Sequence, residues 1–359
     1  MKHSAIFREQ GIYGAFPILN HLPDGRLTIG FSLSPFHDHW ALGEWTVLVS
    51  TDEGDTWTKT DDPTIPQTWP ASNPREQSDR FAGVMADGTY ACAGAVGIDV
   101  WDESRKTEAE ERGLKTHDHD ESGKMIVIKP TVFVQRSSDQ GKTWSRNEWD
   151  VPGFSGTGFS RPTVLADGTV LETVYGQGFD SRRWIYVWRG TDNGRTWRLY
   201  PVGSMGGEAA FIETEPGRVL CLARTADQES GGHLIQRWSD DAGATWSHET
   251  NTNVYTPSSP PHLIKLKDGR ILLSHGYREQ PMGIRAVLSE DGGQTWDVDN
   301  TVILRDDGGY LGELRPGGSP RSDVGYPHST QLSDGSILTV YYITPSDKIT
   351  HIASTRWNP

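Results

Sequence analysis

Apolar residues in this chain come in short runs, and six pairs of runs are each broken by a two-residue turn. The turns are Asp24-Gly25, Asp87-Gly88, Asp167-Gly168, Pro216-Gly217, Asp268-Gly269 and Asp334-Gly335. Asp-Gly between alternating apolar runs is a strong short-range signal for a β-hairpin. A second pattern, S-x-D-x-G-x-T-W, follows each of the first five hairpins, at residues 50–57, 137–144, 190–197, 239–246 and 289–296. Each position in it suits a tight turn. The Asp side chain accepts hydrogen bonds from the N–H groups of its own turn. Gly supplies a positive φ. Trp plugs the apolar space beneath, with its N–H free to find an acceptor.

Trp144, Trp197, Trp246 and Trp296 are separated by 53, 49 and 50 residues, and Trp57 and Trp144 by 87, one repeat plus an insertion. A period near 50 residues means an array or a propeller. Each unit reads as strand A, Asp-Gly turn, strand B, strand C, Asp-box turn, strand D. Six such units predict an all-β fold: a six-bladed β-propeller of four-stranded antiparallel blades, one domain over 1–359. The sixth unit has no strand D of its own. Residues 3–8 form a lone strand that can take that place and close the ring, which would protect an open edge. The polar segment 99–124 reads as a long inserted loop with room for a short helix.

Composition changes the picture in three ways. A net charge of −14 disfavours a nucleic-acid or anionic-membrane partner. No apolar run approaches the ~20 residues of a membrane span. The N-terminus opens on polar sequence without a signal-peptide-like stretch, which predicts a cytoplasmic protein unless a leader has been removed. The two cysteines, Cys92 and Cys221, fall in the B strands of non-adjacent blades and read as buried thiols too far apart for a disulfide.

In this plan A–B and C–D turns share one face. The B–C loops and the starts of the A strands share the other, where a pocket on the ring axis belongs. The candidates there are Ala15, Phe16, Asp38, Arg80, Arg161, Glu208, Arg224, Arg278, Tyr326 and His328.

The Asp boxes and the blade count resemble the sialidase (neuraminidase) superfamily over nearly the whole chain. That resemblance implies an exo-acting, retaining glycoside hydrolase without a metal or other cofactor, acting on a carbohydrate. It implies a Glu at the start of blade four and an Arg at the end of the same hairpin, matched by Glu208 and Arg224. A further family arginine is matched by Arg285, the better-spaced candidate, or Arg278. The family nucleophile is a Tyr at the start of blade six, matched by Tyr326 in Gly325-Tyr326-Pro327-His328. The acid/base Asp is matched by Asp38, between His37 and His39. In the chemistry so implied, Glu208 draws the proton of Tyr326, because a phenol with a pKa near ~10 is a weak nucleophile when neutral. The phenolate attacks the anomeric carbon, and Asp38 protonates the leaving oxygen.

One departure matters. The family opens blade one with an Arg that grips the substrate carboxylate, and here Ala15 stands in its place. The expectation is therefore a sugar other than ordinary sialic acid, with Arg80 and Arg161 able to supply charge from other blades. Two alternatives remain at the level of sequence. One is a polysaccharide lyase in which Tyr326 and His328 act on a uronate. The other is a carbohydrate-binding propeller without catalysis.

Overall fold

At each Asp-Gly turn the carboxylate folds back on its own chain. In the computed structural model, Asp24 Oδ1 accepts from Arg26 N at 3.0 Å, Asp167 Oδ1 from Thr169 N at 2.8 Å and Asp268 Oδ1 from Arg270 N at 3.0 Å. Gly25 and Gly269 supply φ of 87° and 93°. Pro216-Gly217 lacks the Asp, and Glu213 Oε1 accepts from Gly217 N at 2.8 Å instead. The structure describes residues 1–35, 44–60, 62, 81–85, 87–119, 122–150, 155–157, 162–177, 182–225, 230–256, 259–308, 311–312, 321–322 and 324–359.

Among the described residues every strand pairing is antiparallel, and six sheets of four or five strands follow one another along the chain. Sheet one holds Tyr13–His21, Leu27–Ser34, Glu44–Ser50 and Thr58–Lys59. Sheet two holds Phe81–Val84, Tyr90–Asp102, Lys124–Ser137 and Ser145–Asp150, with Lys115–Asp118 added to the third. Sheet three holds Ser155–Thr157 and Thr163–Val164, both against Val170–Gln177, then Arg183–Thr191 and Thr196–Gly203. Sheet four holds Ala209–Glu215, Arg218–Ala223, His233–Ser239 and Thr250–Tyr255. Sheet five holds Pro261–Lys265, Ile271–Tyr277, Gly283–Ser289 and Val302–Arg305. Sheet six holds Val324–Gln331, Ile337–Ile343 and His351–Trp357. Its fourth strand is Lys2–Phe7, with Lys2 opposite Arg356 and Ser4 opposite Ser354.

The core is cut into clusters, six of which are shared by consecutive sheets among the described residues. Cys92 of sheet two packs with Ile18, Trp45 and Val47 of sheet one. Val170 packs with Met85 and Ala91. Cys221 and Phe211 of sheet four meet Leu171 and Ile185 of sheet three, and Leu220 meets Leu273 and Trp296 of sheet five. Ile284 of sheet five meets Tyr341 and Trp357 of sheet six. The largest joins sheet six to sheet one through Tyr326, Tyr342, Leu19 and Phe31, with Phe7 packed against it. This succession is consistent with a propeller. Strands covered on both sides read as continuous apolar runs, as Val219-Leu220-Cys221-Leu222-Ala223 does, each residue 0% exposed. Both cysteines are buried and outside any disulfide, and burial pushes Cys221 up to about 12.

Four of the five Asp boxes share one hydrogen-bond scheme. In the first, Ser50 Oγ accepts from Gly54 N at 2.8 Å, and Asp52 accepts from Thr56 N at 2.8 Å and Thr56 Oγ1 at 2.6 Å. The boxes at Asp139, Asp241 and Asp291 repeat it. The box at 190–197 is a different turn. Gly190 replaces the Ser, Asp192 and Asn193 both take φ of 52°, and Arg195 N donates to Thr191 O and Asp192 O at 3.1 Å each. The reason lies across the hairpin, where Trp197 opposes Gly190. A Cβ at Gly190 would lie 2.6 Å from the indole.

Where the sequence reads as a loop at 99–124, the chain forms a folded arm. Tyr90–Asp102 and Lys124–Ser137 continue as a hairpin past the sheet, and the 3-10 turn Glu103–Arg105 and helix Lys106–Glu111 cap it. Trp101, Ala109, Met125 and Val127 form its own small core. Arg105 lies over the Trp101 ring at 3.8 Å and Arg112 at 5.5 Å. The polar composition that suggested a loop is the outside of this arm.

Candidate functional site

Glu208 precedes the first strand of sheet four, opposite Arg224: Gly207 N donates to Arg224 O at 2.8 Å and Arg224 N to Glu208 O at 3.1 Å. Its carboxylate collects donors from three sheets. Arg224 Nη1 of sheet four donates to Oε2. Tyr326 Oη of sheet six donates to Oε1 at 2.5 Å, and Tyr175 Oη of sheet three donates to the same oxygen at 3.4 Å. Glu208 and Tyr326 are buried, so a carboxylate and an arginine are brought together where water is scarce and charge-assisted contacts are strong.

The backbone aims Tyr326 at this point. Gly325 has φ 140° and Tyr326 has φ 48°, and the pairing register slips between Gly325 and His328. A bulge of this kind re-aims a side chain, and Pro327 keeps the preceding residue out of the right-handed helical region. The same device occurs in sheet one, where Phe16 has φ 57° before Pro17 and the register slips between Ala15 and Ile18. The Phe16 ring meets the Tyr326 ring edge-on at 5.2 Å and 86°, and also packs on Tyr342 at 5.3 Å. Arg278 approaches from sheet five, its Cζ 5.9 Å from the Tyr326 ring, with Nε donating to Val324 O at 3.1 Å.

Charge sets the resting protonation. Burial on its own would raise the Glu208 carboxyl, but the charge of Arg224, the hydrogen bonds from Tyr326 and Arg224, and Arg278 together hold it below its usual range. Burial and the neighbouring Glu208 charge push the Tyr326 phenol well above its ordinary value. The proton therefore rests on Tyr326, with Glu208 ionised and poised as acceptor.

Of the residues singled out in the sequence, the structure gathers Tyr326, Glu208, Arg224 and Arg278. Arg285 goes elsewhere: its guanidinium donates to Arg305 O at 2.7 Å and Pro281 O at 3.0 Å and lies over Tyr277. His328 stacks on His262, rings 4.5 Å apart. Both line a cavity of about 420 Å³ between the first strands of sheets three to six, with Phe211, Pro261 and one side of Tyr326. Ala15 is sealed in the cluster with Tyr13 and Tyr326. Asp38, His37, His39, Arg80 and Arg161 lie outside the described residues.

Sequence reasoning passed over Tyr175 and Tyr342, although a signal for both exists. Each stands seven residues after the glycine of its A–B turn, Gly168 or Gly335, as Arg224 does after Gly217. Equal hairpin lengths place all three at the same strand end.

The repeated Asp-box turns and the site at the strand ends can now be set beside known proteins. The BNR repeat-like domain family matches residues 118–339. This chain belongs to the BNR repeat-like domain family. A protein of unknown function from Dyadobacter fermentans is 24% identical, with a TM-score of 0.74, covering 99% of this chain and 97% of that one. The Hadza microbial sialidase Hz136 is 20% identical, with a TM-score of 0.64 over 96% of this chain and 66% of its own. The NanB sialidase of Streptococcus pneumoniae is 14% identical, with a TM-score of 0.60 over 99% and 70%. No curated protein matches this BNR-repeat chain in sequence. Among its described residues no helix is long and apolar enough to cross a membrane.

Proposed function

We propose that this BNR-repeat protein is an exo-acting, retaining glycoside hydrolase. In this reading residues 1–359 form one six-bladed propeller, closed by the pairing of Lys2–Phe7 with His351–Trp357. Tyr326 is the nucleophile, Glu208 its general base and Asp38 the acid/base. The observation that carries the reading is the hydrogen bond from Tyr326 Oη to Glu208 Oε1, with Arg224 on the other carboxylate oxygen. As Tyr326 Oη bonds to the anomeric carbon, its proton passes to Glu208 and the glycosidic oxygen leaves with a proton from Asp38. Water activated by Asp38 then displaces the tyrosine, which takes its proton back from Glu208. Arg224 offsets the negative charge that the tyrosine–glutamate pair carries until the glycosyl–tyrosine bond has formed, and again as that bond breaks.

The buried Ala15 supports a substrate other than a simple sialoside, because it provides no cation where the family holds the sialate carboxylate. Loss of one partner from a hydrogen-bonded charge pair costs roughly 2–5 kcal/mol. The stacking of His328 on His262 argues against its use as a lyase base. The test is a screen of aryl glycosides, followed by Tyr326→Phe on any substrate found. Turnover should fall at least about 100-fold in kcat, while the circular dichroism spectrum stays unchanged. Undiminished turnover by Tyr326→Phe would remove this reading.

A further inference from the structure

One cation at this site has no part in the chemistry above. Arg183 opens the strand Arg183–Thr191 of sheet three and is exposed to solvent, yet its guanidinium is held in place. Its Cζ lies 5.0 Å from the centre of the Tyr175 ring, whose hydroxyl donates to Glu208. On another side it lies against the Cα of Gly207. A Cβ there would fall 2.8 Å from Nη2, 3.1 Å from Cζ and 3.3 Å from Nε. Gly207 is thus the seat of a guanidinium one residue from the candidate general base.

No carboxylate among the described residues pairs with Arg183. Many other arginines here are neutralised, Arg224 by Glu208, Arg195 by Asp87, Arg305 by Asp307 and Arg356 by Asp334. An arginine that is positioned but has no acid to pair with presents its fork to an incoming carboxylate, which it matches with two parallel hydrogen bonds.

We propose that Arg183 is a specificity-determining residue that holds the carboxylate of an acidic sugar, from sheet three rather than from the position of the buried Ala15 in sheet one. This rests on the reading of Glu208 and Tyr326 as the reaction centre. The sugar's anomeric carbon faces that pair while its acidic group reaches out over Gly207 to sheet three.

The experiment measures calorimetric binding of free glucuronate, galacturonate and N-acetylneuraminate, with glucose and glucose 6-sulfate as controls. The proteins are the wild type, Arg183→Gln, Arg183→Lys and Gly207→Ala, each checked for fold by circular dichroism. At least one carboxylated sugar should bind more tightly than glucose. Arg183→Gln should weaken it about tenfold or more, Arg183→Lys should keep part of the affinity, and glucose should not distinguish the proteins. Gly207→Ala keeps the charge but unseats it, and should weaken the acid as well. If glucose 6-sulfate alone shows the Arg183 dependence, the carboxylate assignment is wrong. Equal binding of acidic sugars to wild type and Arg183→Gln, or no binding of any acid, overturns the proposal. None of this needs turnover. Arg183-dependent binding by a protein that hydrolyses nothing would discard the hydrolase and keep the inference, and Tyr326-dependent hydrolysis indifferent to Arg183 would do the reverse.

Discussion

At the scale of single residues, Glu208 is satisfied by donors that lie far apart in sequence: Tyr175, Arg224 and Tyr326. Removing it strands Arg224 beside a buried phenol. Breaking one side of a buried ion pair costs about 3–5 kcal/mol, and Arg224, a quarter exposed, should keep the loss near the lower figure. Glu208→Gln and Glu208→Ala both remove the charge and should therefore both lower Tm, Glu208→Ala further because it also loses the hydrogen bonds and the volume, both read by differential scanning calorimetry. An unchanged Tm in Glu208→Gln would mean that the ion pair contributes little. The four residues gathered here were legible in the sequence because each sits at a strand end fixed by its turn. Tyr175 was less so: its distance from Gly168 places it at the right strand end, but its role comes from a carboxylate on the next sheet. Arg278 and Arg285 lie seven residues apart in one hairpin, and spacing favours Arg285. Only the side-chain directions separate them.

At the scale of elements, the Asp box shows what a pattern carries and what it leaves out. The motif located five hairpins, yet in the third the Ser is missing and the chain adopts another turn. Restoring the consensus there should harm the protein. In Gly190→Ser the new Cβ meets the Trp197 indole at 2.6 Å, and overpacking of this kind costs about 1–3 kcal/mol. Tm should fall; a rise would show that the indole can move aside. The arm at 99–124 was hard to read for the opposite reason. Its core is only a few side chains, Trp101, Ala109, Met125 and Val127 among them, scattered among charged residues that show no strand or helix period.

At the scale of the whole molecule, the six sheets lean on one another through shared clusters, and Lys2–Phe7 completes the sixth. Deleting residues 1–8 removes Ile6 and Phe7 from the cluster of sheets one and six and leaves the edge of His351–Trp357 open. Tm should drop by roughly 5 °C, with oligomers visible by light scattering; an unchanged Tm in a monomer would count against closure by this strand. Acid should loosen the four like Asp-box turns together. Hydrogen bonds from Thr56 and Ser50 lower Asp52 to about 2, and those from Thr143 and Ser137 lower Asp139 to about 2. The stability such carboxylates contribute is complete above the unfolded value near ~4 and lost as pH falls through about 2. Thermal melts should be flat from neutral pH to about 4.5 and fall steeply below it, and Asp139→Asn should shrink that drop. The pairing of Lys2 with Arg356 has a kinetic side as well. Sheets one to five are hairpins of neighbouring segments, which meet early. The sixth waits for two stretches almost a full chain length apart, and closing so long a loop is slow. Refolding should then run in two phases, and the late one should carry the rise in protection of the amides of residues 2–7 against hydrogen exchange.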